Sequence, residues 1–167
     1  AVLKAQWEAN TYLVSFDTNG GGSAPDGITV TYDSTYGELP SITRTGYSFD
    51  GWYTAKDGGN KVTSNSFVTT PSNHTLYAHW SLESYKVTFD ANGGTNLSTA
   101  SIDVLYNHSY GTLPTVNKSG FTFEGWYTLE EGGTKVTQST ILTNASNHTL
   151  YAHWSFNTYT VTFDGNG

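Results

Sequence analysis

The stretch SNHTLYAHW decides the fold, because it occurs twice, at residues 72–80 and 146–154. The tryptophans that end the two stretches, Trp80 and Trp154, lie 74 residues apart, and Trp7 precedes Trp80 by 73. Self-similarity at a fixed period of this size is the signature of a repeat architecture. The sequence therefore predicts a tandem array of small domains.

Working outward from these stretches, we assign repeat 1 to residues 9–82 and repeat 2 to residues 83–156, each about 73 residues long. Residues 1–8 match the last strand of a preceding repeat, and residues 157–167 match the first strand of a following one. We therefore expect the sequence to be a window of a longer array.

The composition limits the class of protein. The 167 residues include no Cys, which excludes disulfides, thiolate metal sites and a Cys nucleophile. Charged residues make up 13% and aromatic residues 15%, a balance that favours pleated sheets over helices. The net charge of −7 argues against nucleic acid or an anionic membrane as partner. No apolar run is long enough to predict a membrane span.

Alternation with a period of two predicts β-strands in each repeat. Tyr12, Val14 and Phe16 alternate with other residues in the first strand, which runs into the turn signal Asn19–Gly20. We expect four or five strands per repeat and no long amphipathic helix. The corresponding residues of repeat 2 are Tyr85, Val87, Phe89 and Asn92–Gly93.

One short helical element is possible between the second and third strands. Asp33 or Ser34 could cap a single helical turn there, and Pro40 would end it quickly. The sequence thus predicts a small, mostly β domain with at most a minor helical part.

Four segments of repeat 2 together resemble the Listeria–Bacteroides repeat family: VTFDANGG (87–94), YGTLPTVNKSGFTFEGWYT (110–128), GGTKV (132–136) and TLYAHW (149–154). The resemblance implies a β-grasp-like, small α+β domain that occurs in tandem in secreted or wall-anchored bacterial surface proteins, hence an extracellular location. It brings no catalytic residues. The signature positions that it marks as fold determinants are Phe49, Gly51, Trp52, Trp80, Phe123, Gly125, Trp126 and Trp154.

Residues that could carry chemistry are better explained as structural ones. His74 and His79 are five apart, so on one strand they point to opposite faces and do not form a metal site. Asp17 and Asn19 resemble the start of a calcium loop, but the later ligands are missing, so we expect a hairpin turn closed by the Asp carboxylate.

The acidic residues do not predict catalysis either. Asp50 corresponds to Glu124 and Asp57 to Glu131, but one position lies beside a Trp strand and the other in a Gly turn. We interpret them as solvated edge and turn charges. No nucleophile elbow of the G-x-S-x-G kind is present. The sequence therefore predicts no catalytic, metal-binding or cofactor-binding residue, and no enzyme.

The outer face of the last strand is the one candidate contact surface. If Leu76 faces the core, Tyr77 and His79 face outward, as do Tyr151 and His153. This Tyr–His surface could stack on sugars or contact a partner strand. The alternative, which we favour, is pairing between neighbouring strands on the open face of the sheet.

Two functions remain open. The first is a semi-rigid stalk that presents a distal binding domain and has the neighbouring repeats of the same chain as partners. It is favoured by the short spacer SLES (81–84) between the repeats. The second is an adhesive module whose repeats make weak contacts with a host-cell receptor or glycan and gain from multivalency.

Overall fold

The computed structural model describes residues 2–165 and divides the chain into two compact units, residues 1–82 and 83–167. Each unit contains one five-stranded sheet. The expectation of four or five strands per repeat is confirmed.

The sheet of the first unit has the order β2-β1-β5-β3-β4. The central strands β1 and β5 run parallel, and every other neighbouring pair is antiparallel. The first and last strands of the unit are therefore hydrogen-bonded to each other in its middle. The strands are β1 (Thr11–Asp17), β2 (Ile28–Thr31), β3 (Tyr47–Tyr53), β4 (Lys61–Val62) and β5 (His74–Leu82).

The second unit repeats this arrangement in the order β7-β6-β10-β8-β9, with β6 and β10 parallel. The mostly β class is thus confirmed, whereas the β-grasp-like α+β detail is not supported, because residues 2–165 contain no helix. The strands are β6 (Ser84–Asp90), β7 (Ser101–Leu105), β8 (Phe121–Tyr127), β9 (Lys135–Val136) and β10 (His148–Phe156).

The helical turn considered at Asp33 or Ser34 was a wrong prediction. Asp33 has a φ of 60° and its backbone N–H donates to the carbonyl of Val68 at 3.0 Å. The N–H of Val68 donates in return to the carbonyl of Ser34 at 2.8 Å. These bonds tie the segment to the chain after β4, and neither Asp33 nor Ser34 begins a helical turn.

The core of each unit lies on one face of its sheet. Val14 and Phe16 of β1 face Trp52 of β3 and Leu76 and Ala78 of β5, as the period-two pattern predicts. Trp52 is 2% exposed, its ring centroid lies 4.5 Å from that of Phe16, and its indole N–H donates to a backbone carbonyl. The equivalent residues of the second core are Val87, Phe89, Trp126, Leu150 and Ala152.

Gly51 interrupts β3 with a bulge. The register with β5 shifts between Phe49 and Gly51, and Gly51 has a φ of 126°, which a residue with a side chain rarely adopts. A Cβ at this position would lie 2.7 Å from Cε of Lys61. The bulge lets both Phe49 and Trp52 reach the core side. Gly125 repeats it with a φ of 138°.

The end segments carry apolar side chains that are exposed. Residues 2–10 and 157–165 form no strand, and Trp7 and Phe163 are about nine-tenths exposed. Their assignment to neighbouring repeats stays a prediction, and residues 1, 166 and 167 lie outside the described residues.

Candidate functional site

Each unit has the same surface depression, which we call the polar depression. It lies where the turn after the first strand meets the third and fifth strands of the sheet, and its volume is about 550 Å³ in repeat 1 and 370 Å³ in repeat 2. In repeat 1 it is lined by Asn19, Arg44, Tyr47, Asp50, Lys56, Asp57, Gly58, His79 and Trp80. In repeat 2 it is lined by Asn92, Lys118, Phe121, Glu124, Glu130, Glu131, Gly132, His153 and Trp154.

The turn that bounds the depression is built as the sequence predicts. The backbone N–H of Asn19 donates to the carboxylate of Asp17 at 2.8 Å, and both Asn19 and Gly20 have positive φ angles. The Asn19 side-chain amide then donates to the carbonyl of Ala78 at 3.1 Å and so ties the turn to β5. The carboxylate that resembled a calcium ligand therefore closes a turn, and Asp90 and Asn92 repeat it.

Trp80 forms a fixed wall of the depression. Its indole N–H donates to the carbonyl of Thr18 at 2.9 Å, and the edge of its ring lies against Gly21. A Cβ on Gly21 would be 2.6 Å from Cζ2 of Trp80, so glycine is required for this approach. Gly94 and Trp154 repeat the contact.

A positively charged side chain lines the depression in both repeats. The guanidinium carbon of Arg44 lies 3.8 Å from the ring centroid of Tyr47, and its Nη1 donates to the Asn19 carbonyl at 3.5 Å. In repeat 2, Nζ of Lys118 lies 4.5 Å from the Phe121 ring centroid and donates to the carbonyl of Asn92 at 3.2 Å. Both cations are positioned by an aromatic ring and a turn carbonyl.

The structure brings Asp50 and Asp57 to one depression, although in the sequence one lies beside a Trp strand and the other in a Gly turn. Asp50 accepts a hydrogen bond from the Ser81 hydroxyl at 2.8 Å. Asp57 and its counterpart Glu131 are exposed and accept no hydrogen bond from any residue in 2–165. The depression thus presents carboxylate acceptors and a cationic donor beside aromatic rings, which suits a polar ligand.

The Tyr–His surface has partners within the sheet. The His79 ring stacks on the Tyr53 ring of β3 with centroids 3.8 Å apart and planes at 7°, and its Nε2 donates to the carbonyl of Ala55 at 3.0 Å. Tyr77 lies opposite Tyr53 in the register. Tyr127 and His153 stack in the same way at 3.9 Å. The cross-strand alternative accounts for these contacts, and ligand binding by Tyr77, His79, Tyr151 and His153 stays a prediction.

His74 belongs to a different contact, which sequence reasoning missed. Its Nδ1 donates to the carbonyl of Ser72 at 2.9 Å, so in the neutral ring Nε2 accepts from the Tyr36 hydroxyl at 2.8 Å. Burial raises the pKa of the Tyr36 phenol above its ordinary value, and it raises the pKa of the Tyr110 phenol in the same way. The available signal was the equal spacing of 38 residues between Tyr and His in both repeats.

Metal and membrane chemistry have no counterpart in the described part of the chain. No group of three or more His, Asp or Glu side chains in residues 2–165 could hold a metal ion. Over the same residues there is no helix that is long and apolar enough to cross a membrane.

Two small five-stranded sheets with the same strand order, core and polar depression define a tandem β-repeat protein. The family model of the Listeria-Bacteroides repeat domain matches residues 12–79 and again residues 85–153. The chain belongs to this family, as its sequence motifs indicated.

Two relatives extend the comparison. A "Putative Gly-rich membrane protein" of Evansella cellulosilytica is 34% identical over 169 residues, which cover 99% of this chain and 19% of that protein. Internalin H of Listeria monocytogenes is 36% identical over 146 residues, which cover 87% of this chain and 25% of that protein. The chain spans a quarter or less of the length of these relatives.

Proposed function

We propose that this chain is a non-catalytic, extracellular repeat region of a bacterial surface protein, and that it acts as a semi-rigid spacer for a distal binding domain. The names of the relatives, a membrane protein and an internalin, support a surface location. The duplication of one fold along the chain supports a mechanical role. The partners of the longer protein and its distal binding domain are part of this proposal.

The connection between the units is the observation that carries the spacer role. Strand β5 ends at Leu82 and β6 begins at Ser84, so Glu83 alone lies outside a strand. Glu83 also accepts a hydrogen bond from the Tyr85 hydroxyl at 2.7 Å, and its carbonyl accepts from the Tyr106 N–H at 2.9 Å. Both contacts lie within the second unit, and the connection contains no Gly/Ser-rich segment of the kind that forms a flexible linker.

Distance measurements between spin labels test the spacer. Because the chain has no cysteine, a Glu38→Cys, Thr112→Cys variant can be labelled at two equivalent exposed positions, one in each repeat. We expect one narrow distance distribution. The control carries a flexible 12-residue Gly/Ser insertion after Leu82, which should broaden it. An equally broad distribution without the insertion would contradict the spacer proposal.

A second function, adhesion to a host receptor or glycan, is favoured by the polar depression. It recurs in both repeats with similar side chains, and repeated weak sites gain overall affinity when several engage together. The test compares binding of the two-repeat chain and of a multimerised form to host cells. Binding that grows with copy number supports adhesion, and no binding by either form contradicts it. The Tyr77→Ala, Tyr151→Ala variant then tests the Tyr–His surface.

A further inference from the structure

The two polar depressions differ mainly in charge. Repeat 1 balances two cations against two carboxylates, whereas repeat 2 has one cation and three carboxylates. The largest change is at one position, where Lys56 of repeat 1 corresponds to Glu130 of repeat 2. The charged residues are Arg44, Lys56, Asp50 and Asp57 in repeat 1, and Lys118, Glu124, Glu130 and Glu131 in repeat 2.

This difference restricts a ligand that both repeats could share. The formal charge is zero in repeat 1 and −2 in repeat 2, with histidine neutral. An anionic ligand would be repelled by the second depression, and a cationic ligand would be attracted to the second only. A ligand that uses what the two have in common is therefore uncharged.

The shared groups suit hydroxyls. Each carboxylate offers two acceptor oxygens, and the Arg or Lys offers donors, so neighbouring hydroxyls can donate to one and accept from the other. Trp80 adds apolar surface for C–H groups, whereas a face of the Tyr47 ring is already covered by Arg44. Sites for drug-like molecules are instead lined mostly by apolar side chains, which this polar depression is not.

Part of the depression is already in place before any ligand arrives. Trp80 is held by the Thr18 carbonyl, and Arg44 is held by Tyr47 and the turn carbonyl of Asn19. Asp57 has no partner to give up within residues 2–165. Binding would therefore require little reordering of side chains, and such preorganisation lowers the free-energy cost of binding.

We propose that the polar depression of each repeat binds an uncharged saccharide, with the carboxylates at positions 50 and 57 (124 and 131 in repeat 2) accepting hydrogen bonds from its hydroxyls. This assignment rests on the adhesive function proposed above and places the contact in the depression, which shares only His79 and His153 with the Tyr–His surface. It does not depend on the spacer role.

Nuclear magnetic resonance titration of the two-repeat chain provides the test. The uncharged probes are maltohexaose, cellohexaose and fully N-acetylated chitohexaose, with heparin and hexalysine as charged comparators. The indole N–H resonances of Trp80 and Trp154 should shift in a saturable manner with at least one uncharged probe. Those of Trp52 and Trp126, which donate to the carbonyls of Pro40 and Pro114 and do not line the depressions, should not move and serve as internal controls.

Charge-removing variants locate the contact. Asp57→Asn combined with Glu131→Gln should weaken saccharide binding about tenfold, the factor for one lost hydrogen bond to a charged group. Neither carboxylate has a hydrogen bond to lose within residues 2–165, so the fold should be kept. Glu38→Gln and Asp103→Asn remove the same charge outside the depression and should leave binding unchanged.

Exchange of Lys56→Glu and Glu130→Lys separates the ligand classes. The affinity of either repeat for an uncharged saccharide should change less than twofold on this exchange. The proposal is overturned if no uncharged probe shifts the Trp80 or Trp154 resonance, if only heparin or hexalysine does so, or if the exchange controls affinity. Binding of multimerised protein to cells without saccharide binding would leave adhesion standing with a different ligand.

Discussion

Removal of Trp52 should unfold repeat 1 and leave repeat 2 folded. Trp52 is 2% exposed, and an indole buries about 200 Å² of mainly apolar surface, worth about 5 kcal/mol at 25 cal/mol per Å². Measured Trp→Ala substitutions in cores cost about 3–5 kcal/mol. The carbonyl of Pro40, which accepts the indole N–H at 2.7 Å, also loses its partner. A domain of this size is stable by about 5 kcal/mol, so a loss at the upper end of this range unfolds repeat 1.

The indole resonances can follow each repeat separately. In Trp52→Ala we expect the Trp80 resonance to lose its native shift, while Trp126 and Trp154 keep theirs, because repeat stability is mainly local with a smaller neighbour contribution. Trp126→Ala should give the mirror result. Trp7→Ala is the control, since Trp7 is 91% exposed and should change the unfolding free energy by less than about 0.5 kcal/mol. Loss of both repeats in Trp52→Ala, or a cost below about 1 kcal/mol, would refute this reasoning.

Three further substitutions test local features by chemical denaturation. Gly51→Ala should cost about 1–3 kcal/mol, because it forces a side chain into a φ of 126° against Lys61. Asp17→Ala should cost about 1 kcal/mol by removing the acceptor of the Asn19 N–H, with Asp17→Asn as the milder control. Tyr36→Phe should lessen the loss of stability above pH 10: the folded-state pKa of Tyr36 is raised, so its contribution is present below pH 10 and is lost as the pH rises through the folded pKa. An unchanged alkaline profile would contradict that assignment.

The strands and turns could be predicted from the sequence because their signals are local. Alternation in residues 12–16 depends on one face being buried, and Asn19–Gly20 depends on a positive φ, so both are visible in a few consecutive letters. The parallel pairing of β1 with β5 is not local, since it joins Val14 to His74 across 60 residues. No short pattern in either strand specifies the other, so strand order came from the structure alone.

The wrong prediction of a helical turn and the failure to predict the polar depression have the same cause. Asp33 is a good N-cap by residue type, but the backbone groups beside it are satisfied by Val68, which a local rule does not see. Asp50 and Asp57 are seven residues apart in sequence, yet the bulge at Gly51 and the turn after β3 bring both to the rim of one depression. Sequence reasoning identified each acid as recurring in both repeats but could not place the two together.

Comparison of the two repeats distinguishes residue positions that the fold constrains from positions in the depression that vary. Most core positions keep the same residue, as Trp52 and Trp126 or Leu76 and Leu150 do, because close packing allows few changes of volume; Val68 and its counterpart Leu142 are an exception. The depression keeps its chemical types but exchanges Lys56 for Glu130 at an exposed position with no packing role. Such an exchange costs the fold little and shifts the local charge by two. The two repeats therefore carry depressions of different charge on one shared framework.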